Sequence, residues 1–387
     1  MKLLIPRECA AGEKRVAVTP ETVRRLQGRH IAIELERGAG EAAGFPDALY
    51  NAIGASVVAS DSLDWQGADG VLCVQPPPRS AMARMRDGAL LVGLLAPHGA
   101  SDLCTVLNER SVSAIALELL PRISRAQSMD VLSSQANIAG YKAVLLAAAE
   151  LDRYVPMLMT AAGTIQPARV LILGAGVAGL QALATARRLG GVVYVSDVRA
   201  AAKEQVESLG GRFLEPPSEQ EIPTEKGGYA TQASDAFLAA QRQQLSDQLA
   251  LADMVICTAQ VPGRPAPRLI SEEMLDKMRP GSVVVDLAVA QGGNCAGTVA
   301  GETVIRHGVR LIGAEALPSS VPNHASALYA RNVAALMEHL VHEEDGLRLD
   351  LEDPIVEACL LTHAGVCRRP DVVQTGEPLL AKGTVSS

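Results

Sequence analysis

The stretch Val170–Asp197, VLILGAGVAGLQALATARRLGGVVYVSD, constrains this chain more than any other. A short apolar run ends in Gly174, Gly176 and Gly179, spaced G-x-G-x-x-G. An amphipathic helical pattern follows, and a second apolar run ends in Asp197. This order predicts strand, tight turn, helix and strand, the unit that holds a dinucleotide. Gly174 permits the turn, Gly176 lets the backbone approach a pyrophosphate, and Gly179 lets helix and strand pack closely. The helix N-terminus offers unpaired N–H groups and the positive end of its dipole to phosphates. Asp197 is expected to accept hydrogen bonds from the adenosine ribose and to repel a 2′-phosphate, which favours NAD(H) over NADP(H). The glycine spacing alone is a weak signal; flanking strands and a terminal acid make it a strong one. A membrane span is the competing reading, but the uncharged run 170–186 has only 17 residues, three of them glycine, against the roughly 20 apolar residues a span needs.

With 387 residues the chain is long enough for two domains with their own cores. Apolar runs at 2–5, 31–35, 70–74, 89–95 and 113–117 alternate with helical patterns, one of them opened by Thr19-Pro20. They predict an α/β unit with a parallel sheet ahead of the nucleotide unit. Runs at 254–259, 282–289 and 309–313 continue the nucleotide unit, and 323–345 reads as a long amphipathic helix. The expected organisation is an α/β protein with two Rossmann-like domains on parallel sheets, the second inserted in the first and the NAD site in the cleft. Residues 1–132 form the N-terminal α/β domain and 133–318 the Rossmann NAD(H)-binding domain. Residues 319–370 form a helical return onto the first domain, and 371–387 a polar tail. The net charge of −8, with no basic stripe interleaved with aromatics, argues against nucleic acid as a partner. Seven scattered cysteines without a C-x-x-C fit free thiols in a reducing cytoplasm. The N-terminal apolar run is too short for a signal peptide, and no segment reads as a transmembrane helix, so a membrane role requires a partner.

Two further segments stand out. Between a buried strand and the apolar helix 140–151 lie Arg122, Arg125, Gln127, Asp130, Ser133, Ser134, Gln135 and Asn137. A polar cluster at a strand end is where α/β proteins place ligands, yet a solvated connector with an N-capping serine has the same composition. Residues 215–235 are proline-rich, charged and aperiodic, with Tyr229 following Gly227-Gly228; they read as a lid or as a plain flexible insertion. His339 and His342 share a helix face, but nothing else supports a metal site. No nucleophile signature is present. Hydride transfer between two nicotinamides requires positioning rather than a general acid or base. A segment rich in amides and guanidinium groups and poor in histidine suits that chemistry.

PRISRAQSMDVLSSQANIAGY, TAAGTIQPARVLILGAGVAGLQA, SDVRAAAKEQVESLGG and PGSVVVDLAV with GGNC resemble the NAD(H)-binding α1-type subunits of proton-translocating nicotinamide nucleotide transhydrogenase, relatives of alanine dehydrogenase. The resemblance covers nearly the whole chain and is densest from 117 to 213. RISRAQSMD distinguishes this family from alanine dehydrogenase and lysine-forming saccharopine dehydrogenases. It implies that Arg122 and Gln127 hold the nicotinamide and its ribose, that Asp130 orients Arg122, and that Ser133 binds the carboxamide. It adds Ser128, Met129, Val177, Val198, Gln241 and Gln260 to the nucleotide-binding set, puts Asp197 and Arg199 on the adenosine side, and puts Gly228 and Tyr229 on a mobile loop. It further implies a homodimer, a partner subunit carrying NADP(H), and a membrane-spanning subunit that couples hydride transfer to protons. The chain would then lie on the cytoplasmic face of the bacterial inner membrane through those partners. Where the family or its relatives often have Lys, His and an acid, this chain has Cys73, Ala96 and Ala290-Gln291. Two rivals remain: a free-standing alanine dehydrogenase-like enzyme, for which the missing Lys and His are unfavourable, and a non-catalytic NAD(H)-sensing module.

Overall fold

The computed structural model describes residues 1–216, 235–261, 263–342 and 346–373. The chain divides into two compact units: unit 1, Met1–Ala136 with Pro318–Ser387, and unit 2, Asn137–Leu317. The strands in chain order are β1 (Lys2–Ile5), β2 (Ala32–Glu36), β3 (Ser56–Val58), β4 (Gly70–Leu72), β5 (Leu90–Gly93), β6 (Ser113–Ala116), β7 (Leu158–Thr160), β8 (Gly163–Ile165), β9 (Arg169–Leu173) and β10 (Val192–Ser196). They continue as β11 (Arg212–Phe213), β12 (Met254–Cys257), β13 (Val283–Asp286), β14 (Thr303–Arg306), β15 (Val309–Gly313), β16 (Val341–His342), β17 (Gly346–Leu347), β18 (Leu360–His363) and β19 (Val366–Cys367).

Unit 1 carries a sheet of order β19-β18-β6-β5-β4-β1-β2-β3, and unit 2 a sheet of order β11-β10-β9-β12-β13-β15-β14. Counted within each unit, the parallel strands run 3-2-1-4-5-6 in both sheets, the doubly wound order of dinucleotide folds. Each central strand is buried on both faces, which is why it reads as an unbroken apolar run rather than an alternation. In unit 1, Leu3, Ile5, Leu72, Leu90, Val92 and Ile115 point into one layer, while Leu4, Val71, Leu91 and Ala114 point into the other. Unit 2 repeats the pattern with Val170, Ile172, Val193, Val195, Ile256 and Val285 on one face and Leu171, Leu173, Val255, Cys257 and Val284 on the other.

The sheets are not wholly parallel, in contrast to the expectation from the apolar runs. The pairs β14–β15, β6–β18 and β18–β19 are antiparallel. Two of these pairs close through two-residue turns, His307-Gly308 and Ala364-Gly365, in which both residues have positive φ. Such turns match the twist of the flanking strands. A histidine or alanine in the first turn position gives no sequence signal of the Asn-Gly kind. A small hairpin, β7–β8, also has no counterpart in the sequence periodicity.

Two helices matter for the site. Pro322–Leu340 starts with proline in its first turn and buries Tyr329, Val333, Leu336 and Met337 in the core of unit 1. The helix Val131–Glu150 begins well before the predicted 140. Asp130 explains the early start: its carboxylate accepts from Ser133 N at 2.9 Å and Ser133 Oγ at 2.5 Å, satisfying a first-turn donor. The polar segment is thus partly helical. Among the described residues, no helix is long and apolar enough to cross a membrane.

The turn after β9 is closed by a backbone approach that admits no side chain. A Cβ at Gly179 would lie 1.9 Å from the Gly174 carbonyl oxygen, and one at Gly140 would lie 2.0 Å from the Ala178 carbonyl oxygen. Neither obstacle is a movable side chain. Gly179→Ala and Gly140→Ala are each expected to destabilise unit 2 by about 2–3 kcal/mol. Denaturant unfolding of the two variants checks this; a midpoint equal to the native one would refute the packing account.

Candidate functional site

In unit 2 the strand order reverses between β9 and β12, which is where open α/β sheets receive ligands. Gly174 leaves β9 at φ +102°, and a Cβ there would meet Thr258 Oγ1 at 2.6 Å. Thr258 follows β12 and donates to the carbonyls of Leu173 at 3.0 Å and Gly174 at 3.1 Å, so it fixes the turn from the neighbouring strand. Gly176 is different. Its backbone is extended, at φ −75° and ψ −172°, and it caps the helix Val177–Arg188 without any side-chain cap bond. A Cβ at Gly176 would meet nothing within 4 Å. The fold does not require glycine there. Open space beside uncapped helical N–H groups suits a pyrophosphate, and the residues present therefore fit NAD(H).

Asp197 stands at the end of β10 with its side chain 7% exposed. One carboxylate oxygen accepts from Ala175 N at 2.6 Å and Arg199 Nη2 at 2.9 Å; the other accepts from Arg199 N at 2.8 Å and Arg199 Nε at 2.9 Å. Burial works to raise its pKa, but the Arg199 guanidinium and the two backbone N–H groups outweigh that and hold the carboxyl below its usual range. It is anionic at neutral pH. Val177 and Val198 are 42% and 83% exposed, leaving apolar surface beside the turn. Gln260 donates to the Leu287 carbonyl at 2.6 Å, and Gln241 lies half-buried on the helix Asp235–Leu251. Gly228 and Tyr229, expected on a lid, fall outside the described residues.

Three supporting residues were not singled out from the sequence. Besides Thr258, these are Asn294 and Asp286. Asn294 is fully buried; it accepts from Ala259 N at 3.1 Å and donates to the Ala259 and Pro267 carbonyls. Asp286 accepts from Ala288 N, Cys295 N and Thr298 Oγ1. Asn294 thereby braces the loop after β12, and Asp286 the loop after β13. The available signal was an uncharged polar residue set in a Gly-Gly-Asn turn just past a strand.

In unit 1 the polar segment forms a short 3-10 turn, Ser124–Met129. Its backbone is anchored by Ala126 and Met129, both buried in the core. Arg122, Gln127 and Ser128 are exposed, and Ser133 is half-buried. Met129, assigned to the nucleotide, turns its side chain into the core, 5% exposed. Asp130 does not orient Arg122; its carboxylate is engaged by Ser133. The segment is also held from afar. Asn332 Nδ2 donates to the Ser128 carbonyl at 2.7 Å, and Arg125 pairs with Asp353 at 3.0 Å, the same carboxylate that receives His339 Nε2 at 2.6 Å. His339 is thereby committed to Asp353 rather than to a metal.

Unit 1 has its own reversal point, between β1 and β4, where a cavity is lined by Pro6, Glu8, Cys73 and Gln75. The Glu8 carboxylate accepts from Val74 N at 2.6 Å and Gln75 N at 3.0 Å. Burial pushes the Glu8 carboxyl up to about 7, against the lowering by these two N–H groups. One strand further along, Glu118 accepts from Leu95 N and Ala96 N. Cys73 is fully buried, with its thiol directed at the Val92 carbonyl. Arg15, 4% exposed, is locked by Glu13 at 2.6 Å and by Gln135 at 3.0 Å.

The chain is similar to known proteins over nearly its whole length. Residues 4–139 match the family described as alanine dehydrogenase/PNT, N-terminal domain, and residues 143–370 match alanine dehydrogenase/PNT, C-terminal domain. The chain is 44% identical to a Rhodospirillum rubrum protein named as the first portion of NAD(P) transhydrogenase subunit alpha, over 97% of its length and 100% of that protein. It superposes on the crystal structure of transhydrogenase from Sinorhizobium meliloti with a TM-score of 0.84 at 41% identity, covering 96% of this chain and 100% of the other. Alanine dehydrogenase of Mycobacterium tuberculosis is 30% identical over 94% of each chain.

Two outcomes are expected. Gly176→Ala folds with native stability but weakens NADH binding roughly tenfold or more, about 1.4 kcal/mol; calorimetric titration checks it, and unchanged affinity would remove the pyrophosphate role. Glu8 titrates near 4.5 when unfolded and at about 7 when folded, so the native state binds the extra proton between those values and stability from this group falls as pH rises through that window. In Glu8→Gln this pH-dependent component disappears, and urea midpoints measured from pH 4.5 to 7.5 show a flatter fall than those of the native chain.

Proposed function

The chain belongs to the alanine dehydrogenase/PNT family, and we propose that it is the NAD(H)-binding component of a proton-coupled transhydrogenase, catalysing NADPH + NAD⁺ ⇌ NADP⁺ + NADH with NADP(H) held by a partner subunit. Bound NAD(H) supplies the nicotinamide carbon that gives or takes the hydride. The chain's own residues bind and orient it. Gly176 and Val177 receive the pyrophosphate on backbone N–H groups at the helix N-terminus, in a turn that Gly174 permits and on which Gly179 packs. Asp197, with Val198 and Arg199, holds the adenosine side, and Gln241, Gln260, Gly228 and Tyr229 complete the nucleotide set. Arg122, Gln127 and Ser133 hold the nicotinamide, its ribose and its carboxamide. Asp130 supports them as the cap of the helix that carries Ser133. The assembly is a homodimer that sits on the cytoplasmic face of a membrane through a spanning partner.

The observation that favours this reading over an amino-acid dehydrogenase is the set of side chains at the strand ends of unit 1. Reduction of a 2-oxo acid with ammonia needs groups that bind a carboxylate and move protons. Here Glu8 and Glu118 are engaged by backbone N–H groups, Cys73 is buried, Arg15 is locked in an ion pair, and Ala96 has nothing to donate. Direct hydride exchange between two nicotinamides asks for none of these.

Mixing the protein with an NADP(H)-binding partner subunit should give transhydrogenation that neither component shows alone. No rate above background with a competent partner would reject the proposal, and NADH oxidation by pyruvate and ammonia without a partner would favour the dehydrogenase. Gln127→Asn should lower the transfer rate roughly tenfold or more through lost positioning, while NADH affinity by titration stays near native. Equal losses in both would reduce Gln127 to a binding group.

A further inference from the structure

Asp197 is saturated. Four N–H donors, from Ala175, the Arg199 backbone and two positions of the Arg199 guanidinium, lie 2.6–2.9 Å from its two oxygens. A carboxylate has about four acceptor sites, so a ribose hydroxyl can donate to Asp197 only by displacing one of these donors. The backbone donors are fixed by the glycine turn and by the bend at Arg199. The displaceable donor is the guanidinium, on a side chain 60% exposed. Arg199 is thus a cation at the end of β10, kept folded back on its acid. The neighbouring cations are engaged elsewhere: Lys203 pairs with Glu215, and Arg212 donates to the Tyr194 hydroxyl and lies over its ring.

An acid at this strand end accepts from the ribose of NAD(H), whereas an arginine nearby receives the 2′-phosphate of NADP(H). This chain has both groups, bonded to each other. On the reading that the glycine turn of unit 2 binds NAD(H), we propose that Asp197 and Arg199 form a two-residue selectivity switch, in which the carboxylate repels a 2′-phosphate and also holds captive the guanidinium that would receive one. Selectivity against NADP(H) is then a property of the pair. Removing the carboxylate does more than remove repulsion, because it frees a planar cation suited to bidentate phosphate contact. A transhydrogenase needs this discrimination more than most enzymes do, since NAD(H) and NADP(H) are both its substrates and each must enter only its own site.

The test is calorimetric titration of the full chain with NADH and with NADPH. The native chain should bind NADH in clear preference to NADPH. Asp197→Asn should bind NADPH at least tenfold more tightly than the native chain does, and NADH more weakly. The double variant D197N/R199M should lose most of that NADPH gain. Asp197→Ser, whose hydroxyl can still accept from Ala175 N, gives the same readout should the asparagine variant fold poorly, with circular dichroism and a cooperative melt as the folding check. No NADPH gain in a folded Asp197 variant overturns the proposal. So does a double variant that keeps the gain, because relief of repulsion alone would then suffice. A native chain that binds neither nucleotide would instead refute the reading of unit 2 as a dinucleotide site, and the switch with it.

Discussion

Unit 2 is organised by the approach of a helix to a strand carbonyl. Gly179 lies so close to the Gly174 oxygen that a Cβ would overlap it, and Thr258 reaches across from the next strand to bond both Leu173 and Gly174. That contact sets the angle at which the helix Val177–Arg188 leaves the sheet, and hence where its uncapped N-terminus points. It also aligns Ala175 N with the Asp197 carboxylate. The two ends of a dinucleotide-binding crossover are therefore fastened to each other before any ligand arrives.

The two units share a strand order but differ at the point where that order reverses. In unit 2 the reversal is occupied by glycines, and the position facing open space is the one without a packing requirement. In unit 1 the equivalent gap between β1 and β4 is bridged by the Glu8 carboxylate. That carboxylate is engaged by Val74 N and Gln75 N, and burial pushes its pKa up to about 7. The same topology thus offers two crevices, and the one in unit 1 is lined by a carboxylate already engaged by two backbone N–H groups. The difference lies in a handful of side chains rather than in the architecture, as expected where function is set by sites grafted on folds.

The polar segment shows how an exposed polar surface is held by distant parts of the chain. Its exposed side chains, Arg122 and Gln127, come from a turn whose buried residues, Ala126 and Met129, lock it into the core of unit 1. Asn332 and Asp353, more than two hundred residues later, bond Ser128 and Arg125. Asp130 starts the helix that follows. Each anchor restrains the backbone and leaves the outward side chains free. That is the condition for positioning a ligand without chemistry by the protein itself.

The sequence by itself determined what is local. The glycine spacing, the helix after it and the acid ending the next strand lie within one crossover, and their meaning follows from covalent geometry and helix periodicity. The unbroken apolar strands likewise announced parallel sheets buried on both faces. The tertiary structure decided what depends on residues far apart. Antiparallel edge strands arose from positive-φ turns without a distinctive first residue. Asp130 became a helix cap, Met129 a core residue, and Glu8 a brace between two strand ends, because each side chain satisfies whichever buried donor or cavity the fold brings to it. Motif residues are specified by the backbone conformation they permit; supporting residues are specified by unpaired groups that exist only once the sheets have formed.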